Sequence, residues 1–233
     1  MYKVSFDNFI QVAGIIDKTE ANLLLECGIK YLGFPLRLPV NKEDITEKEA
    51  GNIITNLKPP QYGVIISYSS SAEEIFELCN TLKSQIIQLH GPINRDVIKK
   101  VKSERPDITI IKSLVITGEN ENSLINIINE LEPFVDAFIT DTYDPVTGAS
   151  GATGKTHNWD ISKKIVKKCS KPVILAGGLN PENVYNAIMY VQPHGVDVHT
   201  GIENSSGRKD GLLVNKFLEE ANRAFQELKN EVQ

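Results

Sequence analysis

The chain has 233 residues, 41% of them hydrophobic, and its 30 acidic against 25 basic side chains leave a net charge of −5. That length and hydrophobic content suffice for one large core, which excludes a disordered chain, and no basic block is present to suit a nucleic acid or an anionic membrane surface. Met1 to Asp7 are polar and charged, no apolar stretch approaches the ~20 residues of a membrane span, and Cys27, Cys79 and Cys169 stand too far apart for a disulfide framework or a zinc site, so a cytoplasmic protein with free, buried, helical thiols is expected.

Short β-rich runs alternate along the chain with amphipathic segments, the pattern of repeated βα units on a parallel sheet. The first strand is expected over Phe9 to Ile15, followed by a helix from Lys18 to Cys27, and the second over Tyr31 to Phe34. Strands over Gly63 to Ser67, Ile86 to Leu89 and Thr109 to Ser113 come next, with helices from Ala72 to Leu82 and from Asn120 to Leu131 between and after them. A sixth strand, Ala137 to Thr140, leads into the longest irregular segment, Asp141 to His157, where a functional loop is tolerated, and then into a helix from Asn158 to Cys169. Val173 to Ala176, a helix from Pro181 to Val191, Val196 to His199 and a final helix from Gly211 to Val232 complete eight units. No linker or composition break divides residues 1–233. One α/β domain, a (β/α)₈ TIM barrel, is therefore preferred over an open doubly wound sheet, which more often has about five or six strands. In such a barrel the active site lies at the C-terminal strand ends, with a common phosphate site after strands seven and eight.

Two segments fall there. Pro172 to Val184 is an apolar run that breaks at Gly177 and Gly178, and Gly195 to Glu203 ends its β-type run at Thr200 and Gly201. Glycines let an oxyanion approach backbone N–H groups, and a helix beginning near Pro181 points its positive end at the same spot. Taken singly, each pair of residues is equally consistent with an ordinary strand-to-loop turn.

In order and spacing, Gln88-Leu89-His90-Gly91, Thr140-Asp141, Gly151-Ala152-Thr153-Gly154-Lys155-Thr156 and the two glycine segments resemble the phosphoribosylanthranilate isomerase family. The resemblance spans most of the chain. It implies an aldose-to-ketose rearrangement of an N-linked phosphoribosyl substrate in tryptophan biosynthesis, needing a general acid and a general base but no cofactor and no metal. It assigns the acid to Asp141, phosphate contacts to Gly154, Gly177, Gly178, Thr200 and Gly201, and substrate contacts to Gln88, His90 and Lys155. The family's first strand ends in a Lys-Ile-Cys-Gly type motif, whereas this chain reads Gln11-Val12-Ala13-Gly14, so Ala13 stands where the basic cysteine belongs. His199, at a strand-eight position usually small in the family, is the expected replacement base. After strand two, Arg37 or Lys42 is expected to supply the cation for an anthranilate carboxylate. The missing cysteine keeps two further readings open, a phosphate-binding barrel enzyme acting on a different phosphosugar and a non-catalytic phosphosugar-binding protein. In every case the partner is a small phosphorylated molecule, with no nucleic acid and no membrane, and the residues leave the oligomeric state unset.

Overall fold

A computed structural model of the protein describes residues 4–38, 43–117, 120–142 and 158–231. Eight strands, β1 (Phe9–Ala13), β2 (Tyr31–Leu36), β3 (Tyr62–Ser67), β4 (Ile86–Leu89), β5 (Thr109–Ile116), β6 (Ala137–Thr142), β7 (Val173–Leu175) and β8 (Gly195–Val198), pair in parallel in chain order and close into a barrel. Between and after them run α1 (Lys18–Glu26), α2 (Glu47–Ile54), α3 (Ala72–Leu82), α4 (Arg95–Glu104), α5 (Glu121–Leu131), α6 (Trp159–Lys168), α7 (Val184–Val191) and α8 (Gly211–Glu231). This is the expected (β/α)₈ barrel. No helix of the described residues is long and apolar enough to cross a membrane.

Short polar side chains start the helices. Asp17 accepts from the Glu20 N–H at 2.8 Å ahead of α1, and Thr46 and Glu49 form a reciprocal capping box on α2. Several boundaries differ from the sequence reading. Gly14, at a φ of +78°, turns the chain out of β1 after Ala13. β5 and β6 run on to Ile116 and Thr142 because they pair with each other from Ile111↔Ala137 to Ile116↔Thr142. α7 begins at Val184 rather than Pro181, because Asn180 Oδ1 accepts from the N–H groups of Glu182 and Asn183 at 2.9 and 3.1 Å and holds those residues in a turn. Of the thiols, only Cys79 is helical and buried; Cys27 and Cys169 are half-buried caps at the C-terminal ends of α1 and α6.

Strand alternation divides the apolar side chains into two groups. One, with Val12, Leu32, Phe34, Ile65, Ile87 and Ile110, packs between the strands and the helices. The other, with Phe9, Val64, Ile111, Ala137, Ile139 and Ile174, fills the barrel interior. At the N-terminal end the interior is plugged by stacked rings, Phe9 on Tyr31 at 4.0 Å and Tyr31 on Tyr62 at 5.6 Å between centroids. Gln11, Gln88, Ser113 and Asp141 are buried toward the other end.

Candidate active site

Inward-facing positions near the C-terminal strand ends carry Gln11 on β1, Gln88 on β4, Ser113 on β5, Asp141 on β6 and Asp197 on β8. They form a chain of contacts across the barrel. Gln11 Nε2 donates to Gln88 Oε1 at 3.0 Å, Gln88 Nε2 donates to Ser113 Oγ at 3.3 Å, and Ser113 Oγ lies 3.2 Å from His90 Nδ1. His90 Nδ1 is in turn 3.5 Å from Asp141 Oδ2, while Asp141 Oδ1 accepts from the Thr142 N–H at 2.8 Å. The chain thus joins β1 to β6 and ends on the aspartate that the sequence singled out. Tyr68 leans on the His90 ring at 4.9 Å.

Burial sets the proton affinity of Asp141. Its carboxyl is pushed up from the ordinary 3.8 to about 7, chiefly by loss of solvent and further by the charge of Asp197, against the pull of the Thr142 N–H. Asp197 is likewise pushed up to about 7 by burial, opposed by Gln11 and by the positive charge of Lys209. Its Oδ1 is sealed from solvent and has no hydrogen-bond partner among the described residues, as is Gln11 Oε1, its neighbour across the β1–β8 pairing.

His199 sits differently. Its ring occupies the space a side chain at Gly14 would need, with Nε2 only 2.0 Å from where that Cβ would stand, and Nε2 faces Glu203 at 3.7 Å. Burial, with Lys209 nearby, pushes its pKa down to about 3, so the ring stays neutral and is a poor proton acceptor. Glu203 also pairs with the fully buried Lys209, whose backbone N–H donates to Glu20, so this cluster ties the ends of β1 and β8 together. Arg37, with a φ of +54°, is committed elsewhere: its guanidinium grips Glu47 at 2.7 and 3.2 Å and reaches Glu77 at 3.3 Å. A buried lysine, Lys112, donates to the carbonyls of Leu89, Gly91 and Ser113 at 3.0, 3.1 and 2.9 Å and so fixes the loop bearing His90. Burial, with no counter-ion among the described residues, pushes its pKa down to about 8.

The two glycine segments meet at the mouth. Gly177 and Gly178 both have positive φ, 102° and 64°, and a Cβ on Gly201 would stand 1.9 Å from the Leu179 carbonyl oxygen. Only glycine permits that contact. Thr200 opens a short 3₁₀ turn, Thr200–Ile202, and Asn183 Nδ2 donates to the Gly178 carbonyl at 2.9 Å, so both turns are held rigidly side by side. Gly154 and Lys155 lie outside the described residues, as does Lys42.

Comparison with known proteins decides the family. A model described as N-(5'-phosphoribosyl)anthranilate (PRA) isomerase matches residues 11–220. The chain belongs to the phosphoribosylanthranilate isomerase family. It is 37% identical over 222 residues to N-(5'-phosphoribosyl)anthranilate isomerase 2 of Methanosarcina mazei, covering 95% of this chain and 97% of that protein. The solved phosphoribosyl anthranilate isomerase of Thermotoga maritima superposes with a TM-score of 0.78 at 29% identity, over 93% of this chain and 99% of its own. A family structure in complex with reduced 1-(o-carboxyphenylamino)-1-deoxyribulose 5-phosphate superposes with a TM-score of 0.76 at 25% identity, again over 93% and 99%.

Sequence reasoning passed over Asp197, Lys112 and Lys209. For Asp197 a signal existed, because strand alternation puts residue 197 on the same face as His199, which was singled out.

Proposed function

We propose that this site carries out the family reaction, the rearrangement of N-(5'-phosphoribosyl)anthranilate, an aminoaldose phosphate, into the corresponding aminoketose phosphate of tryptophan biosynthesis. Asp141 is the general acid. The observation that carries the reading is its environment: a carboxyl at a barrel strand end, buried enough to keep its proton near neutral pH and aimed by two fixed partners. It donates that proton to the ribose ring oxygen as the C1–O bond breaks. The adjoining turns at Gly177, Gly178, Thr200 and Gly201 hold the phosphate, a reading supported by the close approach of Gly201 to the Leu179 carbonyl and by the left-handed backbone of Gly177 and Gly178. Gln88 and His90 line the sugar's path, and Lys155 belongs to the same reading. A cytoplasmic setting, with a small phosphosugar as the partner and no nucleic acid, goes with it.

The test is turnover of freshly generated phosphoribosylanthranilate, followed through loss of anthranilate fluorescence, by the native chain and by Asp141→Asn. Expected are turnover by the native protein and a loss of ~10² or more in the variant, with inorganic phosphate affinity kept within a few-fold. Absence of native turnover overturns the isomerase reading; unchanged turnover in the variant removes Asp141 from the acid's role.

A further inference from the structure

We propose that Asp197 takes the substrate's C2 proton, so that this barrel works with a pair of aspartates, Asp141 and Asp197, in place of an aspartate and a cysteine. The inference rests on the isomerase reading above. Ala13 has no proton-accepting atom, and the three thiols lie on α3 or at the ends of α1 and α6 rather than in the barrel. Position narrows the replacements to side chains facing the upper interior. β2, β3 and β7 present Gly33, Ile66 and Ala176 at that level, and β5 presents Ser113, none of which titrates near neutral pH. His90 is engaged at Nδ1 with Ser113 and Asp141, and the neutral His199 lies folded over Gly14 beneath Glu203 and Lys209.

Among the described residues Asp197 remains, and its geometry suits the task. It pairs with Gln11 in the β1–β8 register, two residues below the Ala13 position, so its carboxyl stands in the same sector of the mouth. The two carboxyl groups differ in commitment. Asp141 has both oxygens engaged, Oδ1 by a backbone N–H and Oδ2 beside His90, whereas Asp197 keeps one buried oxygen without a donor. The positive charge of Lys209 favours the charged form of Asp197, which makes it the member of the pair that rests ready to take a proton. Gln11, where the resemblance expects a lysine, adds no positive charge that would hold Asp197 permanently ionised. Mutual repulsion sets the resting state, since the charge on Asp197 strengthens the hold of Asp141 on its proton. One carboxylate and one carboxylic acid then face the substrate.

The protons balance. Asp141 gives its proton to the ring oxygen while the C1–O bond breaks and the amine nitrogen's electron pair forms the C1=N bond. Asp197 then accepts the C2 proton, the C–H pair becomes the C1=C2 bond and the C1=N pair returns to nitrogen, giving the enolamine. Tautomerisation moves the proton of the C2 hydroxyl to C1 and leaves the ketone. The pair still holds one proton, now on Asp197, and its transfer to Asp141 restores the starting state. No oxidant, reductant or metal enters.

The experiment joins kinetics with titration of carboxyl groups in ¹³C-aspartate-labelled protein, on the full chain. In the native protein one carboxyl is expected to titrate near neutral pH, and in Asp197→Asn the remaining Asp141 is expected to titrate lower. Asp197→Asn is expected to lose ~10² or more in kcat with inorganic phosphate affinity within a few-fold, and Asp197→Ala to regain turnover with added formate, a small carboxylate that replaces the missing base. A kcat for Asp197→Asn within tenfold of native overturns the proposal, and so does a loss that formate fails to restore or that brings phosphate affinity down with it. Absence of native turnover is the failure of the isomerase reading instead. In that event the titration decides the pair: a shared proton at neutral pH supports it, and two carboxylates already ionised at pH 5 refute it.

Discussion

Replacing Asp141 by asparagine is expected to stabilise the protein at alkaline pH while disabling it. The carboxyl is buried, and its pKa rises from 3.8 in the unfolded chain to about 7 in the fold. A group that holds its proton more tightly in the folded state contributes stability that is complete at low pH and is lost as pH rises through the folded value. At about 1.4 kcal/mol per tenfold change in proton affinity, the full rise corresponds to about 4 kcal/mol, of which roughly 3 disappear between pH 5 and pH 8. Asparagine has the same shape, keeps the oxygen that accepts from the Thr142 N–H, and carries no charge to desolvate. The advantage of Asp141→Asn over native should therefore grow by about 3 kcal/mol across that interval, roughly 6 to 12 °C in Tm for a domain of this size. Urea unfolding of both proteins at pH 5 and pH 8 measures it. An advantage that is the same at both pH values refutes the claim that this carboxyl titrates between them.

Gly201→Ala should abolish phosphosugar binding, by ~10² or more, because its Cβ would meet the Leu179 carbonyl 1.9 Å away and force apart the two turns proposed to hold the phosphate; inorganic phosphate titration by calorimetry checks it, and unchanged affinity places the phosphate elsewhere. Ala13→Cys should raise isomerase turnover, since residue 13 faces the interior at the mouth, beside Gly33, against the sugar in the proposed pose; parallel kcat measurements check it, and no gain means that the substrate does not lie against β1.

The barrel was legible because its evidence is repetitive: eight apolar runs, each followed by an amphipathic segment, outvote any single misplaced boundary. The boundaries that moved were set by long-range pairing or local turn chemistry. β6 extends through Thr142 because β5 offers it a partner as far as Ile116, and α7 starts late because Asn180 caps a turn in front of it. The site divides in the same way. Asp141, Gln88, His90 and the glycine pairs stand at strand ends in quotable motifs, and the structure brings Gln88, His90 and Asp141 into one chain of contacts. Arg37 was singled out for its charge, but a guanidinium is claimed by whichever carboxylates fold next to it, here Glu47 and Glu77. His199 was singled out for its usual pKa, which burial removes. Lys112 was invisible because a lysine amid apolar strand residues gives no hint that three carbonyls await it.

A buried and a half-buried carboxyl group, Asp141 and Asp197, are a burden that a marginally stable protein tolerates only where the rest of the fold is secure. The barrel meets this by separating its ends. Phe9, Tyr31 and Tyr62 stack at the N-terminal end, with Val64, Ile111, Ala137, Ile139 and Ile174 fully buried above them. Truncating such a ring, as in Phe9→Ala, removes about 3 to 5 kcal/mol of packing without touching the polar chain, so it lowers the amount of folded protein rather than the rate per folded molecule. At the other end the relation reverses. With Asp141 as the proposed acid, removing its charge is expected to relieve the fold and stop the chemistry, because the desolvation that destabilises the carboxylate is the same desolvation that keeps a proton on it.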